Sequence, residues 1–149
     1  MTSVDPWMLL VEDSPHDREL ALPALRKGNL PGRIEEARDG VEALDLLLCR
    51  SQWADRDRED RPCVVVMDIK MPKVGGIEVL RELKSHPDLS DVPVVMLTSS
   101  AEDGDLAVCY ALGANSYVVK PVEIETFFQT LIDIGRYWLV LNRPRQENL

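Results

Sequence analysis

The sequence predicts an α/β fold on a parallel sheet. Five short apolar runs alternate with longer segments of helical periodicity. Four of the five runs are apolar throughout rather than every second residue, the pattern of strands covered on both faces. The turn signals between runs leave room for a helix each time, as right-handed crossovers between parallel strands require. Five such units fit the doubly wound, flavodoxin-like (βα)5 sheet with strand order 2-1-3-4-5. In that order ligands bind at the carboxyl ends of the strands, where the winding reverses between strands 1 and 3.

The elements follow in order. WMLLV (Trp7 to Val11) reads as strand 1. Ser14 and Pro15 supply an N-cap and a proline at the first helical position. Leu20, Ala21, Ala24 and Leu25 then recur at helical spacing up to Lys27. Pro23 lies inside this helix, where it is expected to kink the chain or cost a hydrogen bond. RIEEA (Arg33 to Ala37) is a weaker strand 2, and Asp39-Gly40 turns into the helix VEALDLLLCR. Residues 51 to 62, SQWADRDREDRP, carry mixed charge without periodicity and read as an exposed loop or a solvated helix extension. CVVVM is strand 3, rich in β-branched residues. Gly75-Gly76 precedes a helix through Ile77, Leu80 and Leu83, and PVVML (Pro93 to Leu97) is strand 4. A short helix carries Leu106, Ala107, Tyr110 and Ala111 and stops near Gly113. SYVV (Ser116 to Val119) is strand 5, and a last helix runs from about Glu123 to Leu141.

A chain of 149 residues is long enough for one domain with a real core, not comfortably for two. We expect a single domain over residues 1–149 with its core at about 7–141 and no output domain. The net charge of −9 argues against nucleic acid as the main partner, since a phosphate backbone needs a basic face. No apolar run approaches the roughly 20 residues that cross a bilayer, and the N-terminus has no basic leader before an apolar segment. Cys49, Cys63 and Cys109 are odd in number and form no CxxC, as expected of reduced thiols in a cytoplasmic protein.

Chemistry gathers at the strand ends. Strand 1 ends at Glu12-Asp13, strand 3 at Asp68, strand 4 at Thr98-Ser99-Ser100, and strand 5 at Lys120-Pro121. The predicted order makes these ends neighbours on one rim. Three carboxylates in one pocket repel each other and hold protons unless neutralised. Lys120 offsets one charge, and a divalent cation offsets the other two. Oxygen-only ligands with water completing the shell suit Mg²⁺. The Thr98 hydroxyl and the Lys120 ammonium can then hold the oxygens of a phosphoryl group. Asp68 is the candidate nucleophile, since a carboxylate can form an acyl phosphate. The buried strand before it is a rigid stem that fixes it at the rim. No GxxxxGK(S/T) or GxGxxG is present, so the donor is expected to be another protein or a small phospho-compound rather than ATP bound here.

These residues resemble the receiver domain of two-component response regulators, over roughly Trp7 to Leu141. The resemblance rests on VEDS with Glu12-Asp13, VVVMDIKMPKVGGIEVL around Asp68, VVMLTSS around Thr98, and SYVVKP around Lys120. It implies that Asp68 accepts a phosphoryl group from a sensor histidine kinase. It implies that Asp13, Asp68 and the Lys70 carbonyl bind Mg²⁺ directly, and Glu12 through water. Thr98 would sense the phosphoryl group, Lys120 would pair with it, and Tyr117 would be the switch aromatic. Lys120-Pro121 resembles the family's cis peptide bond. More narrowly, VEDSPHDRELAL, the charged insertion and the aromatic terminus YWLVLN resemble the stand-alone receivers paired with bacterial phytochromes. A bacteriophytochrome is then the expected kinase. Gly75 stands where many receivers carry an acid, so nothing catalytic is assigned to it.

Blander readings exist for single residues. Glu12-Asp13 also suits a helix entry, Thr98 a cap, and Tyr117 a half-buried strand. Two other functions also fit parts of the pattern. A degenerate receiver would act as an unphosphorylated interaction module. A phosphatase of the haloacid dehalogenase type would need its nucleophile on the first strand, with a second aspartate two residues on. The expected protein is no enzyme in the usual sense, catalysing only its own phosphorylation and dephosphorylation. In the last helix Ile124, Phe127, Leu131, Ile134, Trp138 and Leu141 form a stripe for the sheet. Phe128, Leu139 and Val140 lie off it. This excess predicts a homodimer through helix 4, strand 5 and helix 5.

Overall fold

A computed structural model of the chain describes residues 6–99 and 103–143. The strands are β1 (Trp7–Val11), β2 (Arg33–Ala37), β3 (Val64–Asp68), β4 (Val94–Thr98) and β5 (Ser116–Val119). They pair in parallel in the order β2-β1-β3-β4-β5, as the sequence predicts. The helices are α1 (Pro15–Lys27), α2 (Gly40–Leu47), α3 (Gly76–Ser85), α4 (Asp103–Ala111) and α5 (Ile124–Arg136).

Strand alternation divides the core in two. Trp7, Leu9, Val11, Val65, Met67, Val94 and Met96 point to the face covered by α2, α3 and α4. Met8, Leu10, Val64, Val66, Val95 and Leu97 point to the face covered by α1 and α5. The three central strands are therefore buried at every position. Edge strands β2 and β5 are mostly half-buried, which accounts for the weaker signal of RIEEA.

Local chemistry starts the helices where expected. The Ser14 hydroxyl accepts the Asp17 N–H at 3.3 Å, with Pro15 at the first position of α1. Asp39 accepts the Glu42 N–H at 2.8 Å and begins α2. Pro23 does not end α1, which continues to Lys27. Pro23 sits on the exposed side, so the carbonyl that loses its helical partner faces water.

Residues 51 to 62 are not a merely solvated loop. Asp60 accepts from Trp7 Nε1 at 2.9 Å and from Arg33 at 2.6 Å. Arg56 stacks over the Trp7 ring at 4.6 Å and pairs with Glu35 at 3.1 Å. The charged run thus caps the amino-terminal end of β1 and β2, opposite the rim that carries the acids. The stripe on α5 also differs from expectation. Phe127 and Leu131 are buried, and Phe128, Trp138 and Leu139 pack against the same cluster, whereas Ile124 and Leu141 are exposed. Beyond Arg136 the helix widens into a π turn, Tyr137–Leu141, closed by Asn142 N–H to the Tyr137 carbonyl at 2.6 Å. The wider turn rotates the register, bringing Leu139 inward and Leu141 outward.

Candidate functional site

The site follows from strand register. Val11 pairs with Met67, so Glu12 lies level with Asp68. Asp68 pairs with Leu97, and Thr98 with Val119, so Thr98 and Lys120 stand just beyond. Alternation then sorts the side chains. Glu12, Asp68 and Lys120 fall on the α1/α5 face, and the Lys120 ammonium lies 4.8 Å from the centre of the Phe127 ring. Thr98 and Tyr117 fall on the other face, where Tyr117 packs against the α2/α3/α4 cluster.

The carboxylates converge closely. Glu12, Asp13 and Asp68 each offer an oxygen within 4.8 Å of the others. Glu12 is 2% exposed, Asp68 7% and Thr98 4%. Lys120 Nζ donates to Glu12 Oε1 at 2.6 Å and lies 3.6 Å from Asp68 Oδ2. The Ser14 N–H donates to Glu12 Oε2 at 3.2 Å, and Arg18 Nη1 to the Glu12 carbonyl at 2.7 Å. Ser99 and Lys70 line the same pocket. Ser100 lies outside the described residues.

Burial and crowding set the charges. Burial, a hydrogen bond with Glu12 and the Glu12 charge push the Asp68 carboxyl up to about 8. Burial also acts to raise Glu12, but its bonds to Asp68, Lys120 and Ser14 hold it below the ordinary value. Asp13 is raised by burial and by Glu12. Lys120 is raised despite its burial, because Glu12 and Asp68 favour the ammonium. One cation among these acids leaves the pocket short of positive charge.

The Lys120-Pro121 bond is not cis. Among the described residues no peptide bond is. The trans form is favoured by about 0.5–1 kcal/mol before proline. The Lys120 N–H meets the Thr98 carbonyl at 2.6 Å while the ammonium reaches the pocket.

Two contributors escaped the sequence reading. Asp17, in the first turn of α1, lies 3.3 Å from Lys120 Nζ. Its position four residues after Asp13 was a signal, but an acid there also suits the helix terminus. Gly76 is the other. A Cβ at this position would lie 2.1 Å from the Asp68 carbonyl oxygen, so only glycine lets α3 start against the end of β3. At Gly75 the nearest contact would be an ordinary 3.4 Å.

A model of the response regulator receiver domain matches residues 8–132. The chain belongs to the response regulator receiver family. Among relatives, it is 39% identical over 140 residues to a probable methanogenesis regulatory protein, FilR2, of Methanothrix harundinacea, covering 93% of this chain and 88% of that protein. It is 34% identical over 132 residues to the response regulator Rcp1 of Synechocystis, covering 89% and 88%. Among solved structures, the phosphorylated cyanobacterial phytochrome response regulator RcpA superposes with a TM-score of 0.85 at 32% identity, over 97% of this chain and all of that one. The Mn²⁺-bound form of Rcp1 gives 0.84 at 31%, over 95% and 99%. The bacteriophytochrome response regulator RtBRR gives 0.73 at 44%, over 96% and 85%. This receiver is thus related to phytochrome-associated response regulators and has their flavodoxin-like fold. None of its described helices is long and apolar enough to cross a membrane.

Proposed function

We propose that this receiver is a phosphorylation switch whose acceptor is Asp68. The observation that carries the reading is the convergence of Glu12, Asp13 and Asp68 within 4.8 Å, with Lys120 reaching into the same pocket. Donor set and charge both fit a hard divalent cation. The donors are all oxygen, and burial together with the Glu12 carboxylate pushes the Asp68 carboxyl up to about 8, a cost that a cation beside it would relieve. Asp13, Asp68 and the Lys70 carbonyl would hold Mg²⁺ directly, and Glu12 through water. The Mn²⁺-bound form of the related Rcp1 supports a cation of this kind. When bound, the cation supplies the positive charge that keeps Asp68 ionised and offsets the phosphoryl oxygens.

The chain's own residues do the rest. β3 fixes the Asp68 carboxylate in place. An Asp68 oxygen attacks phosphorus in line as the bond from phosphorus to the donor nitrogen breaks. The electron pair leaves with the donor imidazole. Lys120 meets the new phosphoryl oxygens, and the Thr98 hydroxyl bonds them from the strand beside. Thr98 and Tyr117 share a face of the sheet, which supports Tyr117 as the residue that follows Thr98. The donor is a sensor histidine kinase of the phytochrome class, as the phytochrome regulators among the related structures support. The protein catalyses its own phosphorylation and dephosphorylation only, and works in the cytoplasm without nucleic acid.

Output runs through a homodimer on α4, β5 and α5. Leu106, Tyr110, Val119 and Ile124 are exposed apolar residues of that face. Light scattering at micromolar concentration, with and without phosphorylation, tests the dimer, and a monomer in both states ends it. Intact mass after incubation with acetyl phosphate and Mg²⁺ tests the switch. One phosphoryl adduct is expected, absent without metal and absent in Asp68→Asn. Phosphate on Asp68→Asn would remove Asp68 from the role, and no adduct from acetyl phosphate or from phosphorylated phytochrome kinase would end the reading.

A further inference from the structure

Lys120 Nζ faces three carboxylates: Glu12 Oε1 at 2.6 Å, Asp17 Oδ2 at 3.3 Å and Asp68 Oδ2 at 3.6 Å. The first and last belong to the acid trio, and both change partners during the proposed chemistry. Asp68 becomes an acyl phosphate, and Glu12 turns its charge to the cation. Asp17 stands outside the trio. It is the one partner of the three that the proposed chemistry leaves untouched.

Asp17 is also built to stay in place. It lies in the first turn of α1, where its backbone N–H bonds the Ser14 hydroxyl. Pro15 fixes the chain just before it. Its side chain is 23% exposed and that of Lys120 19%, so their contact is sheltered from solvent. On its other side the Lys120 ammonium rests over the Phe127 ring of α5. A lysine carries a long flexible stem, and its ammonium has three N–H donors. With Glu12 and Asp68 otherwise engaged, nothing among these contacts except Asp17 and Phe127 would keep the ammonium aimed at the pocket.

We propose that Asp17 is a positioning residue for phosphoryl transfer, tethering the Lys120 ammonium across the gap between α1 and α5. This rests on the reading of Asp68 as acceptor. Asp17 touches neither the phosphoryl group nor the cation, and it acts only through Lys120. It leaves at least one ammonium N–H for a phosphoryl oxygen. The opposite effect, in which Asp17 draws Lys120 away from the phosphoryl group, predicts the opposite sign in the same assay.

The test measures two quantities on the full chain: the second-order rate of phosphorylation by acetyl phosphate, and the Mg²⁺ affinity by calorimetry. For Asp17→Asn, which keeps the shape and removes the charge, the rate is expected to fall about three- to tenfold, the scale of one sheltered ion pair. Mg²⁺ affinity is expected to change less than the rate, because Asp17 is no ligand and its charge is already paired with Lys120. Asp17→Glu, which keeps the charge, is expected to recover most of the rate. An unchanged or faster rate in Asp17→Asn overturns the tether. So does a parallel loss of rate and Mg²⁺ affinity, or an Asp17→Glu variant as slow as Asp17→Asn. A wild type that takes no phosphoryl group from any donor removes the acceptor reading itself, which is a different failure.

Discussion

Asp68→Asn should make the metal-free protein more stable, and more so as pH rises. Burial and the neighbouring Glu12 carboxylate push the native Asp68 carboxyl up to about 8 from an ordinary 3.8. An acid whose native pKa is raised gives stability that is complete below the unfolded value. That stability is lost as pH climbs through the native value. Between pH 4 and 8 the wild type therefore loses about 1.4 kcal/mol per pH unit from this group. At pH 7 the accumulated cost is about 4 kcal/mol. Glu12 works the other way, since its lowered pKa favours the fold above its ordinary range. Part of that benefit comes from its hydrogen bond with Asp68, which an asparagine amide can still make. The net gain expected for Asp68→Asn at pH 7 is about 2–4 kcal/mol, or about 6–12 °C in Tm for a chain of this size.

The assay is thermal or urea unfolding in EDTA at half-unit steps from pH 5 to 8.5, followed by circular dichroism. The gap between variant and wild type should widen with pH and level off near 8. Mg²⁺ should narrow it from the wild-type side, adding about 1.4 kcal/mol at ten times its Kd, and should do little for the variant. A gap that stays flat, or narrows as pH rises, would refute the reasoning. Asp68 would then be neither crowded nor desolvated enough to hold its proton.

Three further outcomes follow from packing alone. Gly76→Ala forces a methyl against the Asp68 carbonyl, so it should cost about 1–3 kcal/mol in urea melts and slow acetyl phosphate labelling as well. Lys73 has φ +67°, a left-handed conformation that a side chain disfavours. Lys73→Gly should therefore raise stability by about 0.5–1 kcal/mol, measured the same way. Arg56→Ala removes both the stack on Trp7 and the Glu35 ion pair, and should cost about 1–2 kcal/mol. Its phosphorylation rate should not change, because the cluster caps the opposite end of β1.

How much was legible depends on the range of the physics. Strands β1, β3 and β4 announce themselves because burial on both faces leaves no place for a polar residue until the rim. The strand order alone makes the ends of β1 and β3 neighbours, and the structure's register then sets Glu12 level with Asp68. The partners of residues 51–62 could not be read this way. Arg56 and Asp60 find Trp7, Arg33 and Glu35 from far along the chain, and no local period records such pairings. The α5 stripe failed at both ends for local reasons. Ile124 opens the helix at its exposed mouth, and the π turn from Tyr137 breaks the 3.6-residue count. The Lys120-Pro121 isomer turns on about 1 kcal/mol or less, too little for sequence to declare. Asp17 was hidden by ambiguity, because one acid can serve a helix terminus and a lysine alike.

The division of the site between two faces has a consequence for signalling. Glu12, Asp68 and Lys120 lie on the α1/α5 side, so a charge added to Asp68 would arise there. Thr98 and Tyr117 lie on the α2/α3/α4 side. On the proposed reading, a phosphoryl group on Asp68 reaches a switch through Thr98, which lines the same pocket. β4 offers a short route, since Leu97 pairs with Asp68 and Thr98 is the next residue. Thr98 is bonded in turn through its carbonyl to the Lys120 N–H. One buried strand end thus touches β3, the lysine loop and the face that carries Tyr117. On the proposed reading, a small shift of Thr98 toward the phosphoryl oxygens frees space beside Tyr117 with no hinge in the sheet. Thr98→Val, which keeps the shape and removes the hydroxyl, should leave labelling of Asp68 largely intact. It should abolish the phosphorylation-dependent change in Tyr117, read as its side-chain NMR signals. If those signals still respond in the variant, the route through Thr98 is wrong.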